Sequence, residues 1–277
     1  MKNHITTQMS VYQEKISFPI KKIVGSACLM IFLCPFWLIA GELSISSPKT
    51  NVISVVKKSQ KNHAKQITSV QKTSDGFEVL TDGLGDYGGL KDVCWTKKAF
   101  LTNQDKKIVV KESEIIVKDK KGGILVEYHN SYDYEKQNLA YEKIEIVRNR
   151  STKKNIKLKG PTCDDVTMMQ FLQSYLQRDN GRLLDYFYLV SIDGDMYKVD
   201  IETLEQESLL VGTSEIDTIK YRLIGDVGVF TPIAKRIFPS TYVWYEKDYP
   251  YRWIQYEGMD TGKNSKNIVV RIETLFP

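Results

Sequence analysis

From Gly76 onward the hydrophobic positions fall mostly at every second residue, in short runs parted by Gly, Asn, Asp or Lys clusters. The runs are FEVLT, KIVVK, EIIVKD, ILVEY, YEKIEIVR, NIKLK, YFYLVSI, MYKVDIE, SLLVG, TIKYRLI, TYVWYE, YRWIQYE and IVVRIETL. Alternation carried by β-branched and aromatic residues predicts half-buried strands. Strands so close in the chain are joined by hairpins, so the sheet is expected to be antiparallel. One turn is explicit: Asp193-Gly194 stands between YFYLVSI and MYKVDIE, and Gly tolerates the positive φ of a tight hairpin.

One stretch, TCDDVTMMQFLQSYLQRDN, has a helical period instead. The spacing predicts a helix over 163–178, with Thr162 as cap, Asp165 closing a capping box and Asp164 adding favourable charge to the first turn. Val166, Met169, Leu172 and Leu176 should face the sheet, with Met168, Phe171 and Tyr175 widening that side. The expected fold class is mainly β, bordering on α+β: a curved antiparallel sheet of about ten or more strands, or a partly closed barrel, with one packed helix.

Ahead of this domain, IVGSACLMIFLCPFWLIA (23–40) carries no charge and follows Lys21 and Lys22. As a helix it spans roughly 27 Å, enough for a slightly thinned hydrocarbon layer. It reads as an uncleaved signal-anchor over 23–41. A cleaved signal peptide is the alternative: Leu38-Ile39-Ala40 is a passable cleavage pattern, although the leader is long. Lipid attachment at Cys28 or Cys34 fits less well, and a buried soluble helix is the bland alternative, against which Pro35 and Trp37 suit a membrane interface. Lys15, Lys21 and Lys22 before the segment and Glu42 after it place the N-terminus in the cytoplasm. The expected organisation is a leader (1–22), a transmembrane segment (23–41), a linker (42–75) rich in Ser, Lys, Asn, Gln and Thr, and a β-rich domain (76–277). A strand is expected to begin late in the linker, at QITSVQKT. The chain is thus expected in the bacterial inner membrane as a single-pass protein with its C-terminal domain in the periplasm, or free in the periplasm after cleavage.

Composition narrows the chemistry. At 277 residues, 42% hydrophobic and 26% charged, the chain is long and apolar enough for a sizeable core. Lys plus Arg exceeds Asp plus Glu by only 39 to 34, so nucleic acid is not an expected partner. RNRSTKKNIKLKG (148–160) does concentrate basic residues without an acid. It reads as a solvated hairpin tip, with anionic headgroups or acidic glycans as the alternative. Gly83, Gly85 and Gly88 match G-x-G-x-x-G, but no helix follows to receive a phosphate, so DGLGDYGGL is expected to be a flexible loop and no cofactor is expected.

His129 alone of the histidines lies in the folded part, without a G-x-S-x-G elbow, and is expected to be an ordinary strand residue. No C-x-x-C or H-x-x-x-H spacing suggests a metal. Glu127, Asp133, Glu135, Glu246, Asp248 and Glu257 look like strand-face and turn residues, and Asp193-x-Asp195 lacks the rest of a calcium loop. No catalytic residue is assigned. Cys94 and Cys163 are the candidates for a disulfide in an oxidising compartment, tying KDVCW to the helix start; spacing leaves open whether they pair or stay free.

The aromatic-rich VWYEKDYPYRWIQYEG (243–258) is the densest feature. Alternation sets Tyr242, Trp244 and Glu246 against Val243 and Tyr245, and Tyr251, Trp253 and Gln255 against Arg252, Ile254 and Tyr256. Turned by KDYP, the two strands should bring Trp244 and Trp253 into one cross-strand cluster, about 0.2–1 kcal/mol per pair. Core packing accounts for this; an aromatic-lined cavity for an acyl chain or glycan, with Trp244, Tyr251 and Trp253 as contacts, is the functional alternative.

EQESLLVGTSEIDTIKYRL, with Glu207, Leu210, Val211, Gly212 and Thr213 at its core, followed by TYVWYEKDYPYRWIQYEG, resembles a bacterial domain family of unknown function found in exported, periplasmic β-rich proteins. The resemblance covers about 205–258; the helix and the basic hairpin have no counterpart. It implies a curved β-sheet similar to the lipoprotein-carrier half-barrels, and no activity or site residue. The expected function is that of a non-catalytic, membrane-tethered envelope protein binding a lipidic or glycan molecule, or an envelope protein, through its concave aromatic side. The alternatives are an envelope glycan hydrolase with carboxylates beside an aromatic platform, and a purely structural scaffold.

Overall fold

The structure is a computed structural model that describes residues 49–58, 61–104, 107–226, 240–259 and 267–275. The leader and the apolar segment expected to span a membrane lie outside the described residues. Among the described residues no helix is long and apolar enough to cross one.

The strands are β1 (Lys49–Lys58), β2 (Lys61–Lys72), β3 (Gly76–Tyr87), β4 (Leu90–Gln104), β5 (Lys107–Lys118), β6 (Ile124–Asp133), β7 (Asn138–Glu145), β8 (Arg150–Lys157), β9 (Thr162–Asp164), β10 (Tyr186–Val190), β11 (Met196–Val211), β12 (Ser214–Asp226), β13 (Thr241–Glu246), β14 (Trp253–Met259) and β15 (Asn267–Leu275). The helix, α1, spans Met168–Arg178. One 15-stranded sheet runs in the order β8-β7-β6-β5-β4-β3-β2-β1-β15-β14-β13-β12-β11-β10-β9. It is two meanders of successive hairpins, joined where β1 pairs antiparallel with β15. The short parallel pair β9–β10 departs from the antiparallel rule.

The fold is mainly β, a sheet curled into a half-barrel around one helix. Phe171, Leu172, Tyr175 and Leu176 of α1 join one core cluster with residues as far apart in the sheet as Val79, Leu101, Val117, Leu139, Phe187, Tyr221 and Tyr245. A long twisted sheet curls rather than staying open, and the helix supplies the apolar surface that its inner face needs. The closing contacts lie between β7–β8 and the β10–β11 turn. Tyr141 donates a hydrogen bond of 2.6 Å to the Ile192 carbonyl, and Lys154 Nζ reaches the Asp193 carbonyl at 2.7 Å and Asp195 Oδ1 at 2.8 Å. Gly194 has φ 68°, as the hairpin expectation required, and a Cβ there would stand 2.6 Å from the Tyr141 ring.

Several boundaries differ from the expectation. Residues 49–72, assigned to the linker, form β1 and β2 in the middle of the sheet: the strand expected at QITSVQKT falls in β2, and the short apolar patch Val52–Val56 falls in β1, which pairs with β2 and β15. DGLGDYGGL is no loop: β3 continues to Tyr87 and turns through Gly88 and Gly89, whose φ values of 57° and 83° suit a two-residue hairpin. Gly83 is needed because any Cβ there would collide with the Trp95 indole. The run list omits β4, where Lys97 and Lys98 interrupt the apolar pattern. KIVVK and EIIVKD are one strand; a register shift opposite Phe100/Leu101 resets the alternation so that Val110, Ser113, Ile115 and Val117 are all buried. MYKVDIE and SLLVG likewise merge into β11. The helix begins later than predicted: Thr162–Asp164 pair with β10 as β9, and Thr167 takes the N-cap position.

Candidate functional site

On β4–β8 most inward positions are apolar and buried in the core, so the alternate positions form an outer face. Antiparallel registers align them in two cross-strand rows. One row is Phe100, Glu112, Ser131, Ala140 and Asn155; the next is Lys98, Glu114, His129, Glu142 and Lys153. Ser131 and Ala140 are small, and between the larger side chains they leave a groove of about 570 Å³ lined by both rows.

The second row is an alternating charge ladder. Lys98 Nζ lies 2.8 Å from Glu78, His129 Nδ1 lies 3.2 Å from Glu114 and Nε2 3.7 Å from Glu127, and Lys153 Nζ lies 3.1 Å from Glu142. The hydrogen bond to Glu78 raises the Lys98 pKa. The hydrogen bond from Lys153 holds the Glu142 carboxyl below the usual range. Exposed pairs of this kind add little stability; they orient side chains. Lys98 and Lys153 stand among Glu112, Glu114 and Glu142, while Lys154, on the other face of β8, is taken by Asp195, so the groove side chains carry one net negative formal charge with His129 neutral. A polar lining of both charge signs with one aromatic ring, Phe100, offers donors, acceptors and one apolar plate. Of these carboxyls Glu142 is held ionised by Lys153, the opposite of what a general acid needs.

Directly behind the groove, on the inner side of β5 and β6, sits the fully buried Asp164. Its Oδ2 accepts from Ser113 Oγ at 2.5 Å, Tyr132 OH at 2.8 Å and Asn130 Nδ2 at 3.1 Å. Its Oδ1 accepts from Thr167 Oγ1 at 2.8 Å, Thr167 N at 3.1 Å and Val166 N at 3.2 Å. A carboxylate so surrounded anchors β9 and the start of α1 to β5–β6. Next to it Asp165 lies 3.9 Å from Lys97 Nζ and accepts weakly from Tyr87 OH at 3.5 Å. Burial, reinforced by Asp164, raises the Asp165 carboxyl above the ordinary range despite Lys97.

The residues singled out by sequence fall elsewhere. Trp244 is only 3% exposed, donates Nε1 to Glu207 Oε1 at 2.7 Å, and forms a satellite cluster with Val211, Ile254 and Ile272. A register shift after Trp244 sets Trp253 opposite Tyr245, and Trp253 packs against both clusters, so the expected Trp244–Trp253 cluster is met only at its margin. Tyr251 is partly buried against the main core, with φ 55°. Tyr245 is fully buried and donates to the Met169 carbonyl at 3.0 Å. Tyr245, Tyr251 and Trp253 pack against the main core and Trp244 packs the satellite cluster on the other face of β13; none of the four lines the groove.

Cys94 and Cys163, whose pairing the sequence leaves open, are both free thiols. Alternation along β4 sends Val93 and Trp95 inward and Cys94 to the opposite face, whereas Cys163 is fully buried on β9, where burial pushes its thiol pKa up. Glu246 makes a bidentate pair with Arg252, with Nε at 2.9 Å from both oxygens. Among the described residues no group of three or more His, Cys, Asp or Glu side chains is placed to hold a metal ion. Sequence reasoning set His129 aside as an ordinary strand residue and passed over Lys98, Glu114, Glu142 and Lys153, which come together only through the register of β4–β8.

No family model matches the chain, and no curated protein matches it in sequence. Among solved structures it is similar to a β-barrel-like protein of a domain of unknown function, DUF1849, from Brucella abortus. The two are 7% identical with a TM-score of 0.46, over 82% of this chain and 95% of the other.

Proposed function

We propose that the protein is a non-catalytic binding module of the bacterial envelope, tethered by its N-terminal apolar segment, and that the outer groove of β4–β8 takes a neutral glycan. The observation that carries this reading is the polar lining of both charge signs around Phe100, Ser131, Ala140 and Asn155. Sugar hydroxyls need paired donors and acceptors, and one aromatic plate suits a pyranose face. The lipid version of the reading loses its support, because the inner face of the half-barrel is occupied by α1. The test is calorimetric titration of the full-length protein with neutral envelope-derived oligosaccharides. Phe100→Ala and Asn155→Ala should each weaken binding about tenfold, the equivalent of one good contact. Absence of saccharide binding, or binding indifferent to both substitutions, refutes the reading.

The filled inner face favours one other reading, a structural scaffold. In that case no envelope saccharide binds, and deletion of the protein changes envelope integrity while Phe100→Ala and Asn155→Ala do not.

A further inference from the structure

Hairpin connections alternate between the two ends of the first meander. The β1–β2, β3–β4, β5–β6 and β7–β8 turns stand together at one end, and the residues before β1 enter at the other, through Lys49. Exposed aliphatic side chains gather at the first of these ends: Leu84 on β3, Leu90 at the start of β4, Ile124 at the start of β6, and Ile146 and Val147 in the β7–β8 turn, the last two 48% and 77% exposed. Ile146 N bonds to the Leu125 carbonyl, so the β7–β8 turn lies against the start of β6. Among the described residues, the β2–β3 and β6–β7 turns at the opposite end expose no large hydrophobic side chain.

Cations surround these aliphatic groups in excess of acids. Lys91, Lys118, Lys120, Lys121, Arg148 and Arg150 stand at three of the turns, and Lys57, Lys58 and Lys61 flank the β1–β2 turn. The acids are Asp86, Asp92, Asp119 and Glu145, and each is already engaged locally. Asp119 Oδ1 accepts from the amides of Lys121 and Gly123 at 2.7 and 2.9 Å, and Asp86 Oδ1 accepts from the Asp92 amide at 3.1 Å. Asp92 lies 3.4 Å from Lys120, and Glu145 lies 3.1 Å from Arg148. Among the described residues no carboxylate stands within ion-pair reach of Lys91, Lys118, Lys121 or Arg150. Unpaired cations beside exposed aliphatic tips suit an anionic bilayer surface, where the cations meet headgroup phosphates and the apolar groups enter the boundary with the acyl chains. A protein interface is rich in aromatic rings and poor in Lys, the reverse of this set. An acidic glycan gives the aliphatic tips nothing to enter.

We infer that this end of the first meander docks on an anionic lipid surface, with Ile146 and Val147 entering the headgroup boundary and Lys91, Lys118, Lys121 and Arg150 meeting phosphates. Because the chain enters the domain at the opposite end, the docking end is presented away from the N-terminal segment and reaches a second surface, not one that holds that segment. The inference is independent of the groove reading.

The test is flotation of the full-length protein, held in nanodiscs of neutral phosphatidylcholine, with vesicles of phosphatidylcholine alone or with about 30% phosphatidylglycerol added. Capture by the anionic vesicles should be at least about tenfold stronger, and it should weaken about tenfold or more from about 50 mM to about 500 mM salt, as screening predicts. Lys121→Glu with Arg150→Glu should weaken capture at least about tenfold through lost attraction, and Ile146→Ser with Val147→Ser should do the same through lost apolar burial. All four side chains are exposed, so urea midpoints should stay at the parent's value. Val147→Trp should strengthen capture several-fold, a gain that no folding defect can imitate. No capture, equal capture of neutral vesicles, or capture unmoved by the charge reversals overturns the inference. Capture that responds to the charge reversals but not to the serine pair or to Val147→Trp is adsorption of a basic surface, and overturns the insertion of Ile146 and Val147.

Discussion

Replacing Asp164 by alanine removes the acceptor that fastens the helix to the sheet. Three donors converge on each carboxylate oxygen: Ser113, Tyr132 and Asn130 on one, Thr167 Oγ1 and the amides of Val166 and Thr167 on the other. Not all are orphaned by the substitution. Asn130 already donates to Ser113 at 3.1 Å, and Thr167 Oγ1 stands 3.5 Å from the Asp164 carbonyl, which the alanine keeps. The Thr167 amide keeps the Asp164 carbonyl at 3.2 Å, so Tyr132 OH, the Ser113 hydroxyl and the Val166 amide are left buried and unmatched. At about 1–3 kcal/mol per buried group without a partner, and without full additivity, the loss should be about 3–5 kcal/mol. Asp164→Asn keeps one oxygen and presents its amide to the donors on the other side, so it should cost about half as much, roughly 1.5–3 kcal/mol. Against a typical domain stability of about 5–15 kcal/mol both variants still fold. Urea unfolding followed by tryptophan fluorescence measures the difference as a shift in midpoint at constant slope. An alanine variant that loses less than about 1 kcal/mol, or one less stable than expected only through a changed slope, refutes the anchoring role.

Asp165 offers a test with the opposite sign. Its folded pKa is raised by burial, so its ionisation opposes folding: the penalty is absent below the unfolded value and grows as pH rises through the folded one. Asp165→Asn should therefore gain stability relative to the parent near neutral pH, and the gap should close as pH falls to about 4 in urea midpoints. Gly83→Ala forces a methyl into the Trp95 indole and should cost roughly 1–3 kcal/mol by the same assay; an unchanged midpoint dismisses the close approach. Alkylation mapped by peptide mass should label Cys94 in the native protein and Cys163 only after unfolding, and equal labelling of the two refutes the buried position of Cys163.

How much was legible beforehand can be judged strand by strand. β6, β10, β12, β13 and β15 announce themselves because one face meets the core and the other meets water, which writes a period of two into the residues. The Asp193-Gly194 turn is legible because only a few residues accept its backbone. β1 and β4 are less so: the short apolar patch of β1 sits in a Ser-, Lys- and Asn-rich stretch that reads as linker, and Lys97 and Lys98 break the alternation of β4. The start of α1 was misplaced for a related reason: Asp164 looks like a helix-cap residue, and it does turn the chain, but its second oxygen is claimed by β5 and β6. The groove was invisible, because its rows draw one residue from each of five strands, and the two register shifts among β4–β8 cannot be read from alternation alone.

What the chain determines by itself is local: which segments prefer extended backbone, where Gly must turn it, that an apolar stem precedes a β-rich domain, and that its histidines and cysteines lack the spacing of familiar metal or nucleophile motifs. Only the tertiary structure decided that the aromatic strands feed the packing, that the inside of the curl belongs to a helix, and that Lys98, Glu114, His129, Glu142 and Lys153 stand in line. The physical reason is range. Backbone preference and period act over a few neighbouring residues, whereas register and burial depend on strands that meet from distant parts of the chain.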